Sequence, residues 1–242
     1  MTESSAALFD FNVNKKSKVT VINVGNEVTP IIVIDQLCDQ PEALMGFAEP
    51  ASSFGDGGGF YPGIRKPLPD SYAEQICLHY LPLMQEVYQL DPSSKAKIIL
   101  SALSLAVTPA EQLRPIQTLP HFDTEQRNQF ALVHYLCGQQ HGGTSFYRHR
   151  KTGYESITNS RLSEYGTLLK QQAIKNEIHK KLSYINSDHH LFERIHKIDA
   201  KMNKAIIYPS NLLHSGNINT ATGLPCDVRC GRLTTSSFIL IQ

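Results

Sequence analysis

The chain has 242 residues, a formal net charge of +1 at pH 7 and 41% hydrophobic residues. So balanced a charge excludes a broad electrostatic nucleic-acid surface, and no apolar run reaches the roughly 20 residues of a membrane span. The length suits one domain, 1–242, able to bury roughly 70% of its unfolded surface without staples. Five cysteines, Cys38, Cys77, Cys137, Cys226 and Cys230, contain no CxxC pair and read as free thiols of a reducing compartment. The start lacks the basic-then-apolar pattern of a signal peptide, so a cytoplasmic protein is expected. Oligomeric state leaves no trace in the letters.

Residues 1–16 are polar and predicted to fray. Lys18–Val24 alternates Val and Ile with polar residues, and Ile31–Ile34 is β-branched; both predict strands. Asp39-Gln40-Pro41-Glu42 predicts a helix start capped by Asp39, with Pro in the first turn. The glycines at 55–59 predict a mobile surface loop or lid, not a phosphate loop, because no Lys-Ser/Thr and no helix start follow. Asp70–Val87 predicts a second helix that Pro82 bends or divides. Strands are expected at Ile98–Val107, Phe130–Leu136, Thr144–Tyr147, Lys204–Tyr208 and Arg232–Ile241, with a turn at Gly138–Gly143. Arg161–Tyr184 has helical periodicity and predicts a helical insertion, within about 155–200. Helices followed by many short strands predict a mainly β protein with flanking helices (α+β), a double-stranded β-helix or jelly roll being the natural candidate.

His121-Phe122-Asp123 places an imidazole and a carboxylate on one side of an extended segment. A second His from a distant strand, His214, completes a 2-His-1-carboxylate set, the ligand type of non-haem Fe(II) oxygenases. His134 alternates away from Tyr135 and is expected to pack on the other side of the sheet. His141, His149, His189, His190 and His196 are expected to face solvent, as is the Arg148-His149-Arg150-Lys151 cluster.

The surrounding residues carry a family resemblance. His-Phe-Asp is followed by Ala131-Leu132-Val133-His134-Tyr135-Leu136 and by Gly142-Gly143-Thr144-Ser145-Phe146; downstream come Ala205 to Gly216 and Gly231-Arg232-Leu233-Thr234. This pattern resembles the prolyl-4-hydroxylase-like family of 2-oxoglutarate- and Fe(II)-dependent dioxygenases. The glycine element is one residue shorter than the family's, and Arg232 lies further beyond His214. The resemblance implies Fe(II) on His121, Asp123 and His214, with 2-oxoglutarate as cosubstrate, O2 as oxidant and ascorbate as a possible reductant. It implies that Arg232 grips the distal carboxylate of 2-oxoglutarate, helped by Tyr135, Thr234 and Ser236. Arg229 competes with Arg232 for that role.

The activity so implied is hydroxylation of a C–H bond in an amino acid, peptide or small molecule. Two rivals stand beside it: a non-catalytic jelly-roll protein that binds metal or 2-oxoglutarate as sensor or scaffold, and a cupin-type metal hydrolase or isomerase. Arg65, in the turn after the glycines, either reaches the pocket mouth and binds substrate or lies in a plain surface turn. The insertion, the glycine loop and the 217–230 loop are expected to frame the entrance and set specificity.

Overall fold

A computed structural model of the chain describes residues 11–58 and 60–242. The expectations for residues 1–10 and Gly59 lie outside the described residues. The β-branched runs form a hairpin, β1 (Lys18–Val24) against β2 (Thr29–Asp35). Helix α1 (Pro41–Ala48) follows, with Gln40 and not Asp39 as its N-cap. Pro41 sets this start: it needs no N–H partner in the first turn, and it holds the preceding residue out of the helical region.

Gly55–Asp56 forms a two-residue strand, β3, paired with β4 (Gly63–Pro67); this part of the expected loop is therefore tied to a sheet. Helix α2 (Asp70–Tyr88) is continuous through Pro82. Proline removes a hydrogen bond to the carbonyl four residues back, and here Pro82 and Leu78 are both exposed, so water can meet that carbonyl. Then come β5 (Ala96–Ala106), the single-turn helix α3 (Pro115–Thr118), β6 (Gln129–Tyr135) and β7 (Gly142–His149). Helix α4 (Asn159–Lys175) stops short of Tyr184 because Glu177 adopts a left-handed φ of 49°, a conformation that ends helices. Strands β8 (Phe192–Asp199), β9 (Lys204–Pro209), β10 (His214–Ile218) and β11 (Arg232–Ile241) complete the chain.

The strands form two antiparallel sheets. The larger has the order β1-β2-β9-β6-β11-β5-β4-β3, the smaller β10-β7-β8. Side chains alternate across each strand, so each sheet has two faces to cover. One face of the large sheet, with Leu103, Leu105, Leu132, Ile207 and Leu233, packs on α1 and α2 through Leu44, Tyr72, Ile76 and Tyr80. The other face meets the small sheet, where Ala131, Tyr135, Ile206 and Tyr208 pack with Phe146 and Ile198. Helix α4 covers the far side of the small sheet, Tyr165 packing near Tyr147, Phe192 and Leu213. Each large apolar side chain so buried contributes roughly 1.5–3 kcal/mol.

His134 lies on the helix-covered face, fully buried, with Nδ1 3.0 Å from the Tyr72 hydroxyl and Nε2 3.1 Å from Asn203 Oδ1. Two of the expected solvent-facing histidines are instead buried. His149 lies between Thr152 Oγ1 (2.9 Å) and Gln172 Oε1 (2.7 Å), and His141 packs near Thr222. The Arg148–Lys151 cluster is accordingly no plain solvated loop, since β7 runs through its first half. All five cysteines are free thiols, Cys226 and Cys230 exposed and the others buried. Among the described residues no helix is long and apolar enough to cross a membrane.

Candidate metal and anion site

The His121-Phe122-Asp123 segment is not a full strand. Pro120 has no N–H to extend a ladder, and His121 forms a lone antiparallel bridge with His214, each N–H donating to the other's carbonyl at 2.8 Å. The Asp123 N–H donates to the Ser210 carbonyl at 2.8 Å. These three bonds staple the segment alongside the start of β10. The sequence reading had the three residues meeting; the device is a two-residue bridge at the edge of the small sheet.

The side chains converge. One ligand atom from each of His121, Asp123 and His214 lies within 4.8 Å of the others, a spacing that can hold a metal ion. Asp123 Oδ1 is 3.9 Å from His121 Nε2, and Oδ2 is 3.7 Å from His214 Nε2. The His214 Nδ1–H donates to the Leu212 carbonyl at 2.8 Å, which leaves Nε2 with its lone pair aimed at Asp123. Such a bond fixes both tautomer and ring orientation of a metal-binding His. Tyr208 packs edge-on to His214, ring centroids 4.9 Å apart.

Burial sets the protonation of this group. It pushes the Asp123 carboxyl up to about 6, against the pull of His121 and Arg65, and pulls His214 down to about 4. His121 also falls to about 4, through burial and then the neighbouring His214. Half of the His121 side chain still meets open space, against 7% for His214, so the depression is firmer for His214. Neutral imidazoles are the ligand-ready form. Asp123 Oδ2 is buried, with the Ser210 hydroxyl as its polar neighbour, and a carboxylate oxygen so placed favours a proton or a cation beside it.

On the facing sheet, β11 turns Arg232, Thr234 and Ser236 inward. Arg232 is 5% exposed. Its Nη2 donates to the Gly143 carbonyl at 2.9 Å, its Nε has no partner, and no carboxylate of the described residues pairs with it. Arg229 differs on each count: it is exposed and ion-paired with Glu49. Tyr135 is wholly buried and donates from its hydroxyl to Thr144 Oγ1 at 2.7 Å, joining the two sheets. Thr234 lies in register between Tyr135 and Ser104, and Ser236 sits one pleat further on. Arg232 Nη2 lies 3.5 Å from where a Cβ would stand on Gly216, two residues beyond His214, and Tyr208 lies within reach of the charges of both Asp123 and Arg232, so the carboxylate and the guanidinium share one interior.

Arg65 and Tyr61 belong here too. Arg65 is partly buried on β4, and its charge acts on both Asp123 and His121. Tyr61 lies against Arg65, and its hydroxyl is buried without a hydrogen-bond partner, near Arg232 and Thr234. Tyr61 carried no motif; only its place before the Gly63-Ile64-Arg65 strand could have flagged it. Tyr184, beyond α4, donates to the Thr108 carbonyl at 2.7 Å and lies near Tyr61. A surface groove of about 820 Å³ that includes Arg127 and Arg161 is lined by none of these residues.

The fold has distant likenesses. HygX from Streptomyces hygroscopicus, solved with nickel and 2-oxoglutarate, has a TM-score of 0.49 and 12% identity, covering 88% of this chain and 84% of its own. The non-heme alpha ketoglutarate dependent epimerase SnoN from nogalamycin biosynthesis has a TM-score of 0.44 and 11% identity, covering 87% and 78%. An N-substituted L-amino acid dioxygenase from Burkholderia ambifaria AMMD has a TM-score of 0.44 and 12% identity, covering 93% and 94%. No curated protein matches the sequence. A family model described as a family of unknown function (DUF6445) matches residues 15–239, nearly the whole chain. The chain belongs to that family.

Proposed function

We propose that this chain is a 2-oxoglutarate- and Fe(II)-dependent oxygenase of prolyl-4-hydroxylase-like type. Its two sheets would form one double-stranded β-helix domain over 1–242, and its product would be a hydroxylated amino acid, peptide or small molecule. The observation that carries this reading is the pairing of two features in one interior. Three potential ligands converge on one side, and a buried guanidinium without an anion waits on the other. A buried cation left unpaired is costly, and a dicarboxylate that also reaches a metal would pair it. A metal hydrolase of cupin type needs the three ligands but has no use for Arg232. The distant likenesses are at most 12% identical, so the reading stands on this chain's own residues.

His121, Asp123 and His214 would hold Fe(II) and leave positions open for other ligands. Iron, when bound, supplies activation of O2, so that 2-oxoglutarate, O2 and a C–H bond become succinate, CO2 and a C–OH bond. Leu212 keeps the His214 ring aimed. Arg232 grips the far carboxylate of 2-oxoglutarate with two parallel hydrogen bonds, and Tyr135 and Thr234 line its path with hydroxyl groups. Phe146 and Tyr208, buried beside these groups, exclude water.

The test is succinate formation from 2-oxoglutarate under air with Fe(II) and ascorbate, together with 2-oxoglutarate binding by the metal-loaded chain. The expected result is metal-dependent binding and slow succinate release, both absent in His121→Ala. A chain that takes up stoichiometric iron yet neither binds nor consumes 2-oxoglutarate contradicts the proposal.

A further inference from the structure

A second guanidinium faces the same interior, from β4 and not from β11. Pairing across the large sheet places Arg65, Ser104, Thr234 and Tyr135 in one row, Arg65 opposite Ser104, Ser104 opposite Thr234, Thr234 opposite Tyr135. Residues directly opposite in a sheet share a face, so this polar row crosses the face that looks at the small sheet. Arg65 stands at its β4 end, one strand from the edge of the sheet, and near enough to Asp123 and His121 for its charge to act on both. Its Nε donates to Ser104 Oγ at 3.2 Å, and its guanidinium carbon lies 4.6 Å from the centre of the Tyr61 ring.

That arrangement fixes the plane of the guanidinium through one hydrogen bond and one stacked ring, both neutral. Its outer edge, Nη1 and Nη2, is left for a partner, and no carboxylate of the described residues lies within ion-pair distance. A guanidinium presents such an edge to a carboxylate bidentately, and aromatic stacking orients it beforehand. Arg232 already answers the distal carboxylate of 2-oxoglutarate. One dicarboxylate stretched from the metal to Arg232 leaves Arg65 with no anion but the Asp123 charge that a metal would share, on the side where His121 is half open.

We infer that the substrate to be oxidised is a small carboxylic acid, its carboxylate clamped by Arg65 on the Tyr61 ring so that its C–H bonds lie beside the metal site. This rests on the function proposed above and adds the class of substrate. Arg65 then acts as a specificity residue, and amides or amines of the same skeleton are rejected because they leave its charge unpaired.

The experiment titrates the full chain, loaded with Mn(II) and 2-oxoglutarate, with free L-amino acids and short mono- and dicarboxylic acids, each beside its primary amide. Calorimetry is expected to find at least one acid that binds, with its amide weaker by about tenfold or more, the loss of one charge-assisted pair. Arg65→Met weakens that acid by a similar factor, and Arg65→Lys recovers part of it. The inference is overturned by a panel in which no acid binds, by an amide that binds as well as its acid, or by Arg65→Met binding the acid unchanged. It is also overturned if Arg65→Met weakens 2-oxoglutarate itself tenfold, which assigns the guanidinium to the cosubstrate's other end. If Arg65→Met fails to fold, the acid-against-amide comparison on the unaltered chain decides. A chain that takes up Mn(II) but not 2-oxoglutarate overturns the proposed function as well, and that arm is read before any acid is added.

Discussion

Arg232 shows best how much one residue can carry. It is 5% exposed, donates to one carbonyl and meets no carboxylate, whereas Arg229 is exposed and occupied by Glu49. Arg232 also opens an alternating strand after Gly231, and burial is an independent physical reason to prefer it to Arg229. Replacing Arg232 with Met is expected to weaken 2-oxoglutarate binding by about 10- to 150-fold, from the loss of charged hydrogen bonds worth about 1.5–3 kcal/mol. Arg229→Ala should leave it unchanged. Calorimetric titration of the metal-loaded variants checks both, and a loss in Arg229→Ala with none in Arg232→Met would reverse the choice between them. The convergence of His121, Asp123 and His214 was legible because the metal site proposed for them demands particular residue types at particular spacings. Tyr61 was not, since an aromatic ring in a glycine-rich turn has many ordinary uses. His149 was misjudged because its burial depends on Gln172, delivered by a helix from elsewhere in the chain.

Among the elements, strands with alternating β-branched residues were legible to within a residue or two: β1 and β11 have the expected bounds. Strand β10, His-Ser-Gly-Asn-Ile, has no such signal. It is a strand because β7 offers it a ladder, from His214 opposite Phe146 to Ile218 opposite Gly142. That ladder depends on Gly142, whose φ of +107° suits glycine and whose position would put a Cβ 1.9 Å from the Asn217 carbonyl oxygen. Gly142→Ala is expected to cost at least about 1–3 kcal/mol of stability. Because β10 begins at His214, the shift should also weaken metal binding. Urea unfolding and metal titration of the same variant test this together, and an alanine variant as stable and as tight as the parent would show that the register tolerates displacement. The end of α4 lay outside sequence reach because the periodicity runs on past the left-handed Glu177.

At the scale of the whole molecule, long side chains tie the two sheets together through polar bonds. Tyr135 to Thr144 and Arg232 to Gly143 span the interior. A third tie is Glu155, fully buried, which accepts from the Asn26 and Glu27 N–H groups at 2.9 and 3.0 Å and from Arg148 Nε at 2.7 Å. It binds the β1–β2 turn of the large sheet to β7 of the small one. Arg148→Met would strand that carboxylate, and removing one partner of a buried pair typically costs about 3–5 kcal/mol. Chemical denaturation should find a loss of that order; a loss under about 1 kcal/mol would mean the backbone donors satisfy Glu155 unaided. No local pattern announces the Glu155 tie, because its backbone donors at Asn26 and Glu27 lie 129 and 128 residues away in the chain. The alternation of strands and the two flanking helices were enough to expect a mainly β molecule, while the four-layer order of helix, sheet, sheet and helix was not in the letters.

The central claim is that one metal ion and one dicarboxylate share the interior between the sheets. Anaerobic titration of the full chain with Fe(II), followed by 2-oxoglutarate, tests it most directly through the charge-transfer absorption that a chelating 2-oxo acid gives on ferrous iron. The account predicts one iron per chain, absorption that appears on adding 2-oxoglutarate, and loss of both in Asp123→Ala and His214→Ala. Iron uptake that survives in Asp123→Ala and His214→Ala, or absorption that never appears in the unaltered chain at full iron loading, would contradict it.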